Sequence, residues 1–166
     1  AGIIAVGPLS QMSNEDFGDA MQTHFWGPLH VIQTVLPIMR AQKRGRIVNI
    51  ASIGGKMAVP HLGPYSASKA ALVGLSEALR SELASESIKV TTVCPSVMRV
   101  GSHMNAYYKG HHAEEFAWFA TLSAMPLIST EADAAARMIV EGCRRGDAQV
   151  IVAPPMRLAL VLNDLL

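Results

Sequence analysis

Between Phe17 and Met39 apolar side chains return every three or four positions (Phe17, Met21, Phe25, Leu29, Ile32, Val35, Leu36, Met39), the period of a helix with one buried face. Ser13-Asn14-Glu15-Asp16 marks its start: Ser13 can cap, Asp16 can close a capping box, and the acidic charge suits the positive end of the helix dipole. Gly27-Pro28 and Pro37 interrupt the pattern, so a kink near 27 and an end near 40 are expected. From Gly45 to Ser52 the pattern changes to a short, mainly apolar run, which reads as a buried strand ending in a hydroxyl. A second helical stretch (Ala67, Ala70, Ala71, Leu72, Leu75, Ala78, Leu79) ends near Ser85, and Ile88 to Pro95 reads as a second buried strand. Gly101 to Met125 is the least regular region. Thr130 is expected to cap another helix, with Glu131 and Asp133 in its first turn and Arg144-Arg145-Gly146 at its end. Gln149 to Val152 then reads as a last strand stopped by Pro154-Pro155, and Arg157 to Leu166 as a short apolar helix that docks on a neighbour.

Composition narrows the class. Half of the 166 residues are hydrophobic and 16% are charged, which suits one domain built on a buried parallel sheet. A net charge of +1 makes no electrostatic case for a nucleic acid or an anionic membrane as partner. No stretch approaches the roughly 20 apolar residues of a membrane span, and the apolar opening Ala1 to Leu9 lacks the basic start of a signal peptide. Cys94 and Cys143 stand far apart with no CxxC spacing, as expected for reduced core thiols in a cytoplasmic protein. His111-His112 has no third ligand at metal spacing, so no metal is expected.

The chemistry concentrates at Tyr65-Ser66-Ala67-Ser68-Lys69. Tyr65 and Lys69 lie four residues apart and so on one helix face. A phenol with a pKa of about 10 is a poor acid or base at neutral pH, and an ammonium one turn away favours the phenolate, making Tyr65 a candidate general acid or base. Ser52 precedes Tyr65 by 13 positions, across a connection rich in glycine and proline (Gly54, Gly55, Pro60, Gly63, Pro64). That spacing lets a strand end deliver Ser52 beside a helix start that delivers Tyr65.

Asn49-Ile50-Ala51-Ser52-Ile53-Gly54-Gly55, followed by Tyr65 to Leu83, resembles the serine strand and active-site helix of the short-chain dehydrogenase/reductase family. The resemblance is strongest from Ala1 to Pro95 and weaker beyond. It implies an α/β fold with a Rossmann-like, doubly wound parallel sheet, of which this chain carries three C-terminal strands with their helices. It implies carbonyl–alcohol interconversion with NAD or NADP. In that reading Tyr65 donates the proton, Lys69 lowers the tyrosine pKa and holds the nicotinamide ribose, and Ser52 hydrogen-bonds the substrate oxygen. Ala1 and Gly2 look like the tail of the family's Asn-Asn-Ala-Gly motif and are expected, with Tyr65, to contact the cofactor, and Pro95, Ser96 and Val97 should border the nicotinamide. His61 and Met104 are expected at the substrate beside Ser52 and Tyr65. Residues 101–125 correspond to a substrate lid. That stretch carries Tyr107, Tyr108, Phe116, Trp118 and Phe119, five of the nine aromatic side chains, which suits an apolar substrate or simply packs the lid onto the body. A homodimer or homotetramer is implied, with the small residues Ala67, Ala71, Gly74 and Ala78 allowing close helix packing.

Three departures stand out. No GxxxGxG or GxGxxG occurs in the 166 residues, so residues 1–166 read as one partial domain, the catalytic half of a longer chain. His24 occupies the position of a family amide that orders water next to the lysine, which leaves a proton-carrying imidazole and a packed histidine both open. Val100 stands where a threonine usually holds the carboxamide, leaving backbone groups or Ser102 to do so. Two other classes compete: a non-catalytic fragment or assembly subunit that keeps the dimer helices, and a serine hydrolase. Ala51-Ser52-Ile53-Gly54-Gly55 is not the GxSxG elbow a hydrolase needs.

Overall fold

The structure, a computed structural model, describes residues 2–125, 129–152 and 160. Its elements in chain order are β1 (Ala5–Val6), α1 (Asn14–Met21), a π-helical turn (Gln22–Trp26), α2 (Gly27–Ala41), β2 (Gly45–Ile50), α3 (Gly63–Glu82), β3 (Ile88–Pro95), β4 (Val97–Met98), β5 (Tyr107–Tyr108), α4 (His112–Ala124), β6 (Ser129–Thr130), α5 (Ala132–Arg145) and β7 (Gln149–Val152). The expected stop at Pro154-Pro155 lies outside the described residues. So does the expected 157–166 helix, except for Leu160, which packs half-buried against the core.

Three strands form the main sheet in the order β2-β3-β7, all parallel. Gly45 pairs with Ile88 and Ile50 with Val93, so β2 and β3 run in register over six positions. Alternation along the central strand sorts its side chains to two faces. Ile88 and Val90 meet Ile32, Ile47, Leu79 and Leu83 on one face, and Cys94 on the same face meets Leu72 and Val73 of α3. On the other face Val93 joins Val150, Val152 and Ala135 of α5. Helices on both faces are what parallel crossovers produce, and both faces of β3 are dry as a result. Shorter parallel pairs, β1 with β5 and β4 with β6, hold the region around α4.

Local chemistry explains most boundaries. The Ser13–Asp16 capping box forms with both bonds, Asp16 N–H to Ser13 Oγ at 3.2 Å and Ser13 N–H to Asp16 Oδ2 at 2.8 Å. The expected kink near 27 is spread over the π-helical turn 22–26, which closes with Gly27 N–H on the Gln22 carbonyl. Pro28 has no N–H for an ordinary α turn, and a widened turn ahead of it accommodates the missing donor. Thr130 does not cap α5. It is used in β6, paired with Met98, and Glu131 takes the cap position without a side-chain bond. Gly146 ends α5 in the left-handed conformation (φ 74°) as the sequence suggested. β2 is less buried than its sequence implied: Ile50 is 45% exposed, because among the described residues β2 is an edge strand. The 101–125 region is more regular than expected, since α4 occupies half of it.

Candidate active site

The two strands β2 and β3 end side by side, and the residues that follow them form the site. Ser52 leaves β2 in extended conformation, 8% exposed; its Oγ accepts from Gly54 N–H at 3.1 Å and donates to the Pro95 carbonyl at 3.5 Å. The glycines that follow have a specific task. A Cβ on Gly55 would stand 2.6 Å from the carbonyl carbon of Lys69, so only glycine lets this turn lie against the backbone of α3. α3 then presents Tyr65 and Lys69 to the same place.

Ser52, Tyr65 and Lys69 line one cavity of about 190 Å³. Pro95, Ser96 and Val97 border it from the carboxyl end of β3, and Phe119 and Leu122 of α4 close the opposite side. Ser102 is part of the lining, while Val100 points outward, 49% exposed. A larger open groove of about 550 Å³ runs between α2 and the edge of β2 and touches Lys69 and His24, but not Ser52 or Tyr65. The smaller cavity, where the hydroxyls converge, is therefore the candidate reaction site.

The electrostatics differ from the simple expectation for the tyrosine. Burial raises the Tyr65 pKa above its ordinary value, opposed by a hydrogen bond with Ser52. The Lys69 ammonium lies 5.7 Å from the Tyr65 ring centroid and hydrogen-bonds the Ile50 carbonyl at 2.9 Å. Burial lowers the Lys69 pKa to about 8, because a dry surrounding disfavours its charged form. So desolvation dominates both groups.

His24 is 1% exposed and sits in the π-helical turn. Its Nε2 accepts from Ile3 N–H at 3.2 Å, and its Nδ1 lies 2.8 Å from Ser68 Oγ. Burial, then the nearby Lys69 charge, lowers its pKa to about 4. Gly2 lies beside this ring rather than at the cavity: a Cβ there would be 3.6 Å from Nε2. Ala1 lies outside the described residues. His61 and Met104 are also away from the lining. His61, in a left-handed conformation (φ 65°), binds the buried Glu115 carboxylate at 2.7 Å and lies over Trp118. Met104 is 69% exposed. Ser68 was not foreseen from sequence, although it lies inside the Tyr65–Lys69 segment. A small hydroxyl on a helix gives no pattern of its own, and its partner is 44 residues away.

The parallel sheet with helices on both faces, and a cavity bearing hydroxyls at the carboxyl ends of its strands, define a Rossmann-type α/β protein. The chain belongs to the short chain dehydrogenase family, an oxidoreductase family, whose profile matches residues 1–110. It is 44% identical over 101 residues to a 3-ketodihydrosphingosine reductase of Bacteroides thetaiotaomicron, an alignment covering 61% of this chain and 38% of that protein. A short-chain dehydrogenase structure from Streptomyces avermitilis superposes with a TM-score of 0.80 at 28% identity, covering 99% of this chain and 62% of the other. A short chain dehydrogenase/reductase from Burkholderia phymatum, in complex with NAD, reaches a TM-score of 0.86 over 98% of this chain and 62% of its own. At 22% identity that likeness concerns the fold alone. The chain thus spans less than two thirds of the length of these proteins.

Proposed function

We propose that this chain is the catalytic part of an NAD- or NADP-dependent oxidoreductase that interconverts a small carbonyl and its alcohol, with Tyr65 as general acid and base. One observation supports the reading above the others: the Tyr65 and Ser52 side chains and the Lys69 ammonium share one cavity at the carboxyl ends of β2 and β3. Ser52 stabilises the substrate oxygen, and Tyr65 delivers a proton to it or removes one. Lys69, fixed on the Ile50 carbonyl, lends positive charge to the same place. The nicotinamide cofactor supplies the hydride when bound. The residues present fit its reactive end. Pro95, Ser96 and Val97 form a wall where ligands of open parallel sheets bind, and the Ser102 hydroxyl on the lining can serve its carboxamide. Phe119, Leu122, Leu62 and Val59 make the remaining wall apolar, which suits a substrate without charge.

The setting follows from weaker observations. Both cysteines are unpaired thiols, in keeping with a reducing, cytoplasmic location, and none of the described helices is long and apolar enough to cross a membrane. Gly74 faces open space on α3, and Val31 and Ile38 on α2 are 62% and 56% exposed, surfaces suited to a homodimer or homotetramer. The test is Tyr65→Phe in a full-length protein carrying this chain. Carbonyl reduction should fall by about 10²- to 10⁴-fold with the fold intact; near-normal turnover in the variant would remove Tyr65 from the chemistry, and absence of turnover in the unsubstituted protein would leave the non-catalytic subunit as the better reading.

A further inference from the structure

The hydrogen bonds around His24 form a short line with a peptide group at each end. The Ile3 N–H donates to Nε2, Nδ1 faces Ser68 Oγ, and the Ser68 hydroxyl donates to the Tyr65 carbonyl at 2.9 Å. A backbone N–H can only donate, so Nε2 carries no proton. The single hydroxyl proton of Ser68 is committed to the carbonyl, so Nδ1 carries the ring proton and donates it to Oγ. The imidazole also touches the Tyr65 ring edge-on, with centroids 5.3 Å apart and planes at 82°.

Resting on the reading of Tyr65 as general acid, we propose that His24 is a positioning residue: through Ser68 it holds the first turn of α3 and thereby aims Tyr65, and it relays no proton to or from the site. A proton wire needs an exchangeable group at both ends, whereas this line ends on a peptide N–H and a peptide carbonyl. The ring sits in dry surroundings near a lysine, both of which keep it neutral and so keep Nε2 available to Ile3. The line ties together three parts of the chain, the segment around Ile3, the π-helical turn and α3. The turn itself is what brings His24 inward, one residue out of step with an ordinary helix.

Covalent geometry supplies a graded test. Asparagine places its amide nitrogen about where Nδ1 sits and stops short of Ile3. Glutamine reaches the Nε2 position and has no donor at Nδ1. The experiment compares His24→Asn, His24→Gln and Ser68→Ala in a full-length protein, reading kcat, KM, the pH profile and the NMR signal of Tyr65 labelled at its ζ carbon. The Asn variant, which keeps the bond to Ser68, should lose least, about 2-fold in kcat. Gln and Ser68→Ala should each lose about 5-fold, the worth of one neutral hydrogen bond, with KM for the cofactor held and the shape of the pH profile kept. Loss of the imidazole from beside the phenol shifts the Tyr65 signal in Asn and Gln alike, so line width is the readout: the signal should broaden in Gln and Ser68→Ala and stay sharp in Asn. Equal losses in Asn and Gln, or a pKa that vanishes from the profile with the imidazole, would overturn the proposal. Ser68→Ala removes one buried oxygen without adding bulk, so it decides the question if His24→Gln does not fold. The labelled tyrosine reports without turnover: an inactive wild-type protein would defeat the reading of Tyr65 as acid, while its signal would still test the strut.

Discussion

Acid should unfold the protein partly through His24, and the size of the effect can be worked out. In an unfolded chain the imidazole has a pKa of 6.5, and in the fold it drops to about 4. A lowered folded pKa means stability that is fully present above 6.5 and lost as pH falls towards 4, because the unfolded chain takes up the proton first. Each unit is worth about 1.4 kcal/mol, so the loss approaches about 3 kcal/mol across that window. At 1% exposure, water does little to screen the penalty. Carboxylates titrate nearby, Asp16 and Glu86 among them, both with lowered pKa. The measurement is therefore a difference: urea unfolding of the protein carrying this chain and of its His24→Asn variant, from pH 7.5 to pH 4, followed by tryptophan fluorescence. The wild-type curve should fall more steeply, by up to about 1.4 kcal/mol per pH unit, so that the gap between the two narrows towards pH 4. Parallel curves would refute the claim that the ring is held neutral.

Lys69 gives the opposite signature in activity. With its pKa lowered to about 8, it is mostly charged at pH 7 and loses that charge above 8, so the wild-type rate should decline there while Lys69→Met, already slow and weak for cofactor, shows no such step. Gly55→Ala should destabilise by about 2 kcal/mol through overpacking against Lys69 and should slow turnover more than a Leu72→Ala change in the core, because it moves Ser52; equal effects on rate would mean that the turn does not position the serine. The 166 residues alone, which contain no glycine-rich phosphate loop, should bind NAD(H) and NADP(H) more weakly than micromolar and should self-associate along the open edge of β2. Calorimetry showing micromolar binding, together with a monomer by sedimentation, would contradict this.

Much of this architecture was legible because it is written in local patterns. The period-3.6 run after Ser13, the two apolar strands and the Gly146 stop all depend on neighbours in sequence, and their boundaries agree with the structure to within a few residues. The grouping of Ser52, Tyr65 and Lys69 was legible for the same reason, since one strand, one tight turn and one helix connect them. What escaped depends on partners far away. Thr130 looks like a cap until β4 claims it for a strand. His61 looks available to substrate, yet it is bound to a carboxylate 54 positions later. The neighbouring charge suggests a lowered Tyr65 pKa, but burial, which no spacing reveals, raises it, opposed by the Ser52 hydrogen bond.

The pair between His61 and Glu115 has a consequence for anyone who wishes to change what this fold accepts. α4 invites treatment as a cassette: exchange the helix, keep the body, obtain a new preference. Yet its buried carboxylate is bonded to a residue of the loop that leads into Tyr65, three positions short of the proline before the phenol. A transplanted helix without an acid at that position would release His61 from its partner. A helix that kept the acid beside a different residue 61 would leave a buried carboxylate without its hydrogen-bond partner. Helix and loop therefore have to be inherited, or grafted, together.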